Sequence, residues 1–213
     1  MKKWFPFLAI LLLFIAGFSL WPKEKKGVIV VDAGHGGTDP GTTSITGVHE
    51  KEIALQFALK IADALRNANY EVYLTRTEDV TLSLNERVQF ANSKPIDLFL
   101  SIHGNALENN DTVEGLQVLY YPDEAERNVE LATMMMNYLS SALQAPDRGV
   151  LPRPELAVLR GTTSASLLLE TGFLSHPEEA IKLENANYQQ QFSQAVVQAV
   201  DHIIENIKQT THE

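Results

Sequence analysis

A chain of 213 residues, 45% of them apolar, has length for one globular domain plus an appendage and ample material for a core. It contains no cysteine, which excludes disulfides, thiolate metal sites and cysteine nucleophiles, so any metal must take histidine and carboxylate ligands. The formal charge of −10 is uneven: Lys2, Lys3, Lys23, Lys25 and Lys26 against Glu24 make the first 26 residues +4 and leave −14 on the rest, too acidic to neutralise phosphates, so a nucleic-acid partner is excluded.

Lys2 and Lys3 precede an apolar run from Phe5 to Leu20, flanked by Trp4 and Trp21. This reads as an export segment, either a signal peptide or a membrane anchor. Gly17-Phe18-Ser19 is a poor cleavage site, which favours the anchor, although the run is short for a full span. Residues 1–26 are therefore assigned to the leader and a short basic linker, and 27–213 to one domain.

Val28 to Val31 is an unbroken β-branched run, suited to a strand buried on both faces. It ends at Asp32, after which Gly34, Gly36 and Gly37 turn the chain around His35. These glycines do not cradle a phosphate, because no Lys follows them and Asp39-Pro40 interrupts the next turn. Thr38 to Val48 reads as irregular. From Glu50 a helix is expected, with Ile53, Ala54, Phe57, Ala58, Ile61, Ala62 and Leu65 on one face. Glu50 in its first turn has an ordinary account, the helix dipole.

Further strands are expected at Tyr70–Thr75, Ile96–Ile102, Gly115–Tyr121 and Ser166–Leu169, and helices at Leu82–Asn92, Glu124–Leu143, from His176-Pro177 onward and at Tyr188–Ile207. Met134 and Met135 read as core filler. Arg148–Leu159, with Pro152 and Pro154, reads as extended or looped. Strands alternating with helices argue an α/β fold with helices layered on a central sheet.

His35, His103 and Glu170 each fall just beyond a predicted buried strand, positions that can share one edge of an α/β sheet, and Glu50 is within reach of that edge. Two histidines and a carboxylate suffice to hold a hydrolytic zinc ion, and a second carboxylate can serve as base. A neighbouring aspartate, Asp32, is a candidate acceptor for the outer nitrogen of a ligating ring. His49 points away from Glu50, His202 lies on the last helix and His212 in the tail, so none of these is assigned a role. His176 is a candidate for the cleft rim.

The segments VVDAGHGGTDPG, HEKEIAL around Glu50, TRTED at Thr75–Asp79, the Leu84–Asn92 stretch with Arg87, DLFLSIHGNA at Asp97–Ala106 and LLLETGFLSHPEE at Leu167–Glu179 together resemble the zinc-dependent N-acetylmuramoyl-L-alanine amidases. The resemblance runs from Gly27 to the C-terminus. It implies a single α/β domain with a twisted, mostly parallel or mixed sheet flanked by helices on both faces. It also implies one Zn2+ held by His35, Glu50 and His103, with Glu170 as the catalytic carboxylate. The implied reaction is hydrolysis of the amide joining the lactyl group of N-acetylmuramic acid to L-alanine of the peptidoglycan stem peptide. Ala33, Gly104 and His176 depart from the family's usual Pro, Ala and Asn, and none of these departures removes a ligand. A non-catalytic peptidoglycan-binding protein, and a zinc carboxypeptidase or deacetylase on the same polymer, are the competing readings. The leader implies an exported protein at the cell wall with membrane contact, and the short anchored architecture resembles amidases acting on spore cortex.

Overall fold

Ile29, Val30 and Val31 are wholly buried in β1 (Val28–Ala33), as a β-branched run covered on both faces requires. The computed structural model describes residues 24–124 and 127–211, so residues 1–23 of the 1–26 leader and linker, and the tail at His212, lie outside it. No helix among the described residues is long and apolar enough to cross a membrane.

Strand β1 pairs in parallel with β2 (Glu71–Leu74) and with β3 (Leu98–Asn105), and β3 pairs in parallel with β6 (Ala165–Phe173). Beyond β6 the direction reverses: β4 (Leu116–Tyr120) is antiparallel to it, and β5 (Asp147–Pro152) lies parallel to β4. The six-stranded sheet thus has the order β2-β1-β3-β6-β4-β5 and is mixed. Helices α1 (Glu50–Asn67), α3 (Arg127–Leu143), α5 (Pro177–Glu184) and α6 (Ala186–Thr211) pack into the larger core on one face. The shorter α2 (Leu84–Asn92) and α4 (Ala157–Gly161) cover the other.

Alternation along the strands decides which side chains reach the thinly covered face. Leu98, Leu100 and Ile102 of β3 enter the larger core, whereas Phe99 enters the smaller one and is followed on that side by Ser101 and His103. In β6, Leu167 and Leu169 take the first face, Leu168 the second, and Glu170 follows Leu168. His103 and Glu170 are register partners, and Gln117 of β4 partners Glu170 from the other side. The polar residues at these strand ends therefore line up across neighbouring strands on the face where two short helices leave the sheet partly open.

Several boundaries differ from the sequence reading. Arg148–Leu159 is extended in β5, as the sequence reading allows, but its end from Ala157 opens helix α4. Pro152 is tolerated because it closes an outer strand, where its missing N–H removes no ladder bond to a further neighbour. Helix α2 begins at Leu84, not Leu82, because Ser83 and Glu86 form a reciprocal capping box. His103 and Glu170 lie inside β3 and β6 rather than beyond their ends, since pairing between these two strands continues to Asn105 and Phe173.

Candidate metal centre and catalytic cleft

His35 sits two residues past β1 with φ +57, a left-handed conformation that a histidine adopts only when its surroundings hold it there. Two buried arginines do so. Arg87 on α2 donates to the Ala33 and His35 carbonyls at 2.6 and 2.5 Å, and Arg76 donates to the Ala33 and Gly34 carbonyls at 3.0 and 2.7 Å. Asp32 accepts from Arg87 Nη1 at 2.6 Å, from Thr75 Oγ1 at 2.7 Å and from Ser101 Oγ at 2.7 Å. The expectation that Asp32 orients a ligating ring is therefore corrected: its oxygens are taken up by the arginine and hydroxyls beneath the loop. Gly34 lies against the face of His103, so closely that a Cβ there would stand 2.4 Å from ring Cε1.

Glu50 opens α1 and is buried, turned into the cleft. Its Oε1 lies 3.0 Å from His35 Nε2 and 2.9 Å from His103 Nδ1, and it accepts from the Gly104 N–H at 3.2 Å. Its Oε2 accepts from the Thr42 N–H at 3.0 Å. One donor atom from each of His35, Glu50 and His103 falls within 4.8 Å of the others, so the three predicted ligands do converge. Burial resists ionisation of Glu50, but the two imidazoles outweigh it and hold the carboxyl well below the usual carboxylate range. His35 is pulled both ways: burial lowers its pKa, while Glu50 and Asp39 carry it up to about 8. Two imidazoles and an ionised carboxylate make a donor set suited to a divalent cation of the zinc type, and the set fits such an ion.

The outer nitrogen of His35 has the partner that sequence reasoning missed. Asp39 Oδ2 lies 2.8 Å from His35 Nδ1, and Asp39 Oδ1 accepts from the Gly41 N–H at 3.0 Å. The available signal was the i,i+4 spacing within the tight glycine turn, where Gly36 and Asp39 bond each other through their backbones. An acceptor on the outer nitrogen fixes ring orientation and raises ligand basicity. Asp39→Ala is expected to weaken metal affinity by roughly 10- to 100-fold, read by titration against a competing chelator; unchanged affinity would leave Asp39 a turn residue only.

Glu170 stands on β6 beside His103, and its Oε2 is enclosed with no hydrogen-bond partner among the described residues. Burial pushes its carboxyl up to about 7, with Glu50 adding to the rise and His103, His35 and Arg153 opposing it. An orphaned carboxylate oxygen beside a ligand cluster marks Glu170 as a candidate catalytic group. These side chains line a cleft of about 770 Å³, with Ile45, Leu107 and Arg153 also on its walls, and an adjoining cavity of about 370 Å³ continues past His35 toward Ser83. His176 departs from its expected rim role: it caps α5, its Nδ1 accepting from the Glu179 N–H at 3.2 Å. His49 meets Thr43, and His202 stacks on Tyr138, so neither joins the cluster.

Residues 29–202 match the N-acetylmuramoyl-L-alanine amidase family. The sporulation-specific N-acetylmuramoyl-L-alanine amidase of Bacillus subtilis (strain 168) is 33% identical over 186 residues, covering 86% of this chain and 70% of that protein. The crystal structure of N-acetylmuramoyl-L-alanine amidase from Clostridium difficile 630 superposes with a TM-score of 0.81 at 34% identity, covering 84% of this chain and 97% of that one. The CwlD amidase from Clostridioides difficile, solved in complex with the GerS lipoprotein, superposes with a TM-score of 0.79 at 28% identity, covering 84% and 99%.

Proposed function

Because the chain belongs to the N-acetylmuramoyl-L-alanine amidase family, a family of peptidoglycan hydrolases, we propose that it works as a zinc enzyme with His35, Glu50 and His103 as ligands and Glu170 as proton carrier. The observation that carries this reading is the pairing of the three converged donors with the unpartnered Oε2 of Glu170 alongside. Bound by these ligands, zinc supplies Lewis acidity that polarises the scissile carbonyl and makes water a better acid.

The protein's own groups do the rest. Glu170 takes a proton from the attacking water, whose oxygen bonds to the lactyl carbonyl carbon; as the C–N bond breaks, it gives that proton to the amine of L-alanine. Burial holds the Glu170 carboxyl near 7 before a cation is bound, and a cation beside it lowers that value, which favours the ionised form that takes the proton of water. No side-chain nucleophile is required. The arginine-held loop and the Asp39 contact keep His35 aimed while the opposing ring of His103 is set by the space over Gly34.

The apolar leader supports an extracytoplasmic site of action at the wall, tethered to the membrane. Similarity to a sporulation-specific relative supports a role on spore peptidoglycan, and the lipoprotein complex of a structural neighbour supports a protein partner for such enzymes. His103→Ala is expected to retain its fold and to lose most bound metal, and a chelator is expected to abolish release of stem peptides from purified peptidoglycan until zinc is restored. Full metal content in His103→Ala, measured by elemental mass spectrometry, would remove His103 from the ligand set. Products carrying a new L-alanine amine separate this reaction from carboxypeptidase or deacetylase activity.

A further inference from the structure

Among the described residues, the main cleft is lined by four carboxylates, those of Glu50, Glu108, Glu155 and Glu170, and by a single Lys or Arg, Arg153. In a chain of formal charge −10 this is a poor setting for an anionic substrate unless that one cation is placed to receive it. Arg153 follows directly on β5, and its backbone N–H is tied to the Tyr120 carbonyl at 2.8 Å, so the root of the side chain is fixed to the sheet. Its head is held only loosely among the described residues: Nη1 donates to the neighbouring Pro152 carbonyl at 3.2 Å, Nε is 3.8 Å from Glu155, and the side chain is 40% exposed. Glu155, itself 67% exposed, is a loose partner that an incoming carboxylate can displace.

Direction comes from the chemistry. Glu170 must deliver a proton to the leaving amine, so the peptide side of the scissile bond begins beside Glu170, and Arg153 lines the same cleft as Glu170. The first free carboxylate of a stem peptide beyond L-alanine is on the second residue, D-glutamate linked through its side chain, at most about 7 Å from the leaving nitrogen.

We propose that Arg153 is a specificity residue that binds the free α-carboxylate of the second stem residue, so that this enzyme discriminates against stems in which that group is amidated. The assignment rests on the amidase reading above. A guanidinium fork pairs with a carboxylate through two charge-assisted bonds and has no such match with an amide.

The test compares initial rates of the full-length zinc protein on two peptidoglycan preparations, one with the second residue as free acid and one with it as amide. Wild type is expected to favour the acid by about 10-fold or more in kcat/KM, the size of one charge-assisted hydrogen bond. Arg153→Gln is expected to bring the ratio close to one through a rise in KM for the acid substrate, and Arg153→Lys to recover part of the ratio. No preference in wild type, or a preference that survives in Arg153→Gln, overturns the proposal. So does a shifted pH profile with the ratio intact, which would mean that Arg153 acts through Glu170. If wild type cleaves neither preparation, the amidase reading fails, and this inference fails with it; cleavage of both without discrimination sinks this inference alone.

Discussion

Glu170→Gln is expected to keep its metal and its fold while losing roughly 10²- to 10⁴-fold in turnover, the contribution of a positioned general acid–base. The amide is nearly the same size and fills the same pocket, but it cannot take a proton from water or return one to an amine. The activity of wild type is expected to fall as the pH drops through the Glu170 pKa, about 7 in the metal-free protein and lower once a cation sits beside the carboxylate. The stability sign runs the opposite way. A folded pKa raised above the unfolded value means that ionised Glu170 costs stability increasingly as the pH rises toward and through 7, so the glutamine variant should unfold no earlier than wild type in that range. Thermal melts and metal analysis alongside the kinetics separate a chemical defect from a folding one. Near wild-type release of stem peptides would make Glu170 structural.

The second large effect falls on stability. Arg87→Ala should destabilise the fold by about 3–5 kcal/mol, because it leaves the buried Asp32 carboxylate without its cation. Arg87 and Asp32 are both buried, at 2.6 Å, and Arg87 also satisfies the carbonyls of Ala33 and His35. Removing it takes a donor from the His35 carbonyl, leaves that of Ala33 to Arg76 alone and loosens the loop carrying His35, so metal affinity should fall as well. Combining it with Asp32→Asn should cost less than the sum of the single changes, since no unpaired charge remains. Urea denaturation at constant slope reads both quantities. A loss below about 1 kcal/mol, the range of an exposed pair, would mean that water reaches Asp32 and that the loop is held by other contacts.

These two predictions differ in how much of their basis was visible before the fold. Glu170 was marked by an apolar strand running into an acid, and the same pattern marked His103. The role of Arg87 was not visible: the TRTED and Leu84–Asn92 segments entered only through resemblance, and nothing local says that Arg76 and Arg87 reach back more than 40 positions to the carbonyls around His35. Asp32 was assigned to the wrong partner for the same reason. A short acid beside a histidine loop has two chemically plausible neighbours, and only the placement of α2 under the loop selects the guanidinium. Asp39 was passed over because it looked like a turn residue, which it also is.

What the sequence by itself determined was periodicity and chemistry: the runs of β-branched and alternating residues, the amphipathic helices, the absence of thiols, and the identity of four polar side chains at strand ends or a helix start. Those properties are local, set by residue shape and by the two- or 3.6-residue repeat. Only the tertiary structure decided that β3 and β6 are neighbours in register, so that His103 stands opposite Glu170, and that Glu50 reaches the His103 imidazole across 53 positions of chain as well as the nearer one of His35. It also decided that Oε2 of Glu170 has no hydrogen-bond partner among the described residues. Register and burial are properties of how distant segments pack, and a buried carboxyl has its pKa set by neighbours that the chain order does not reveal.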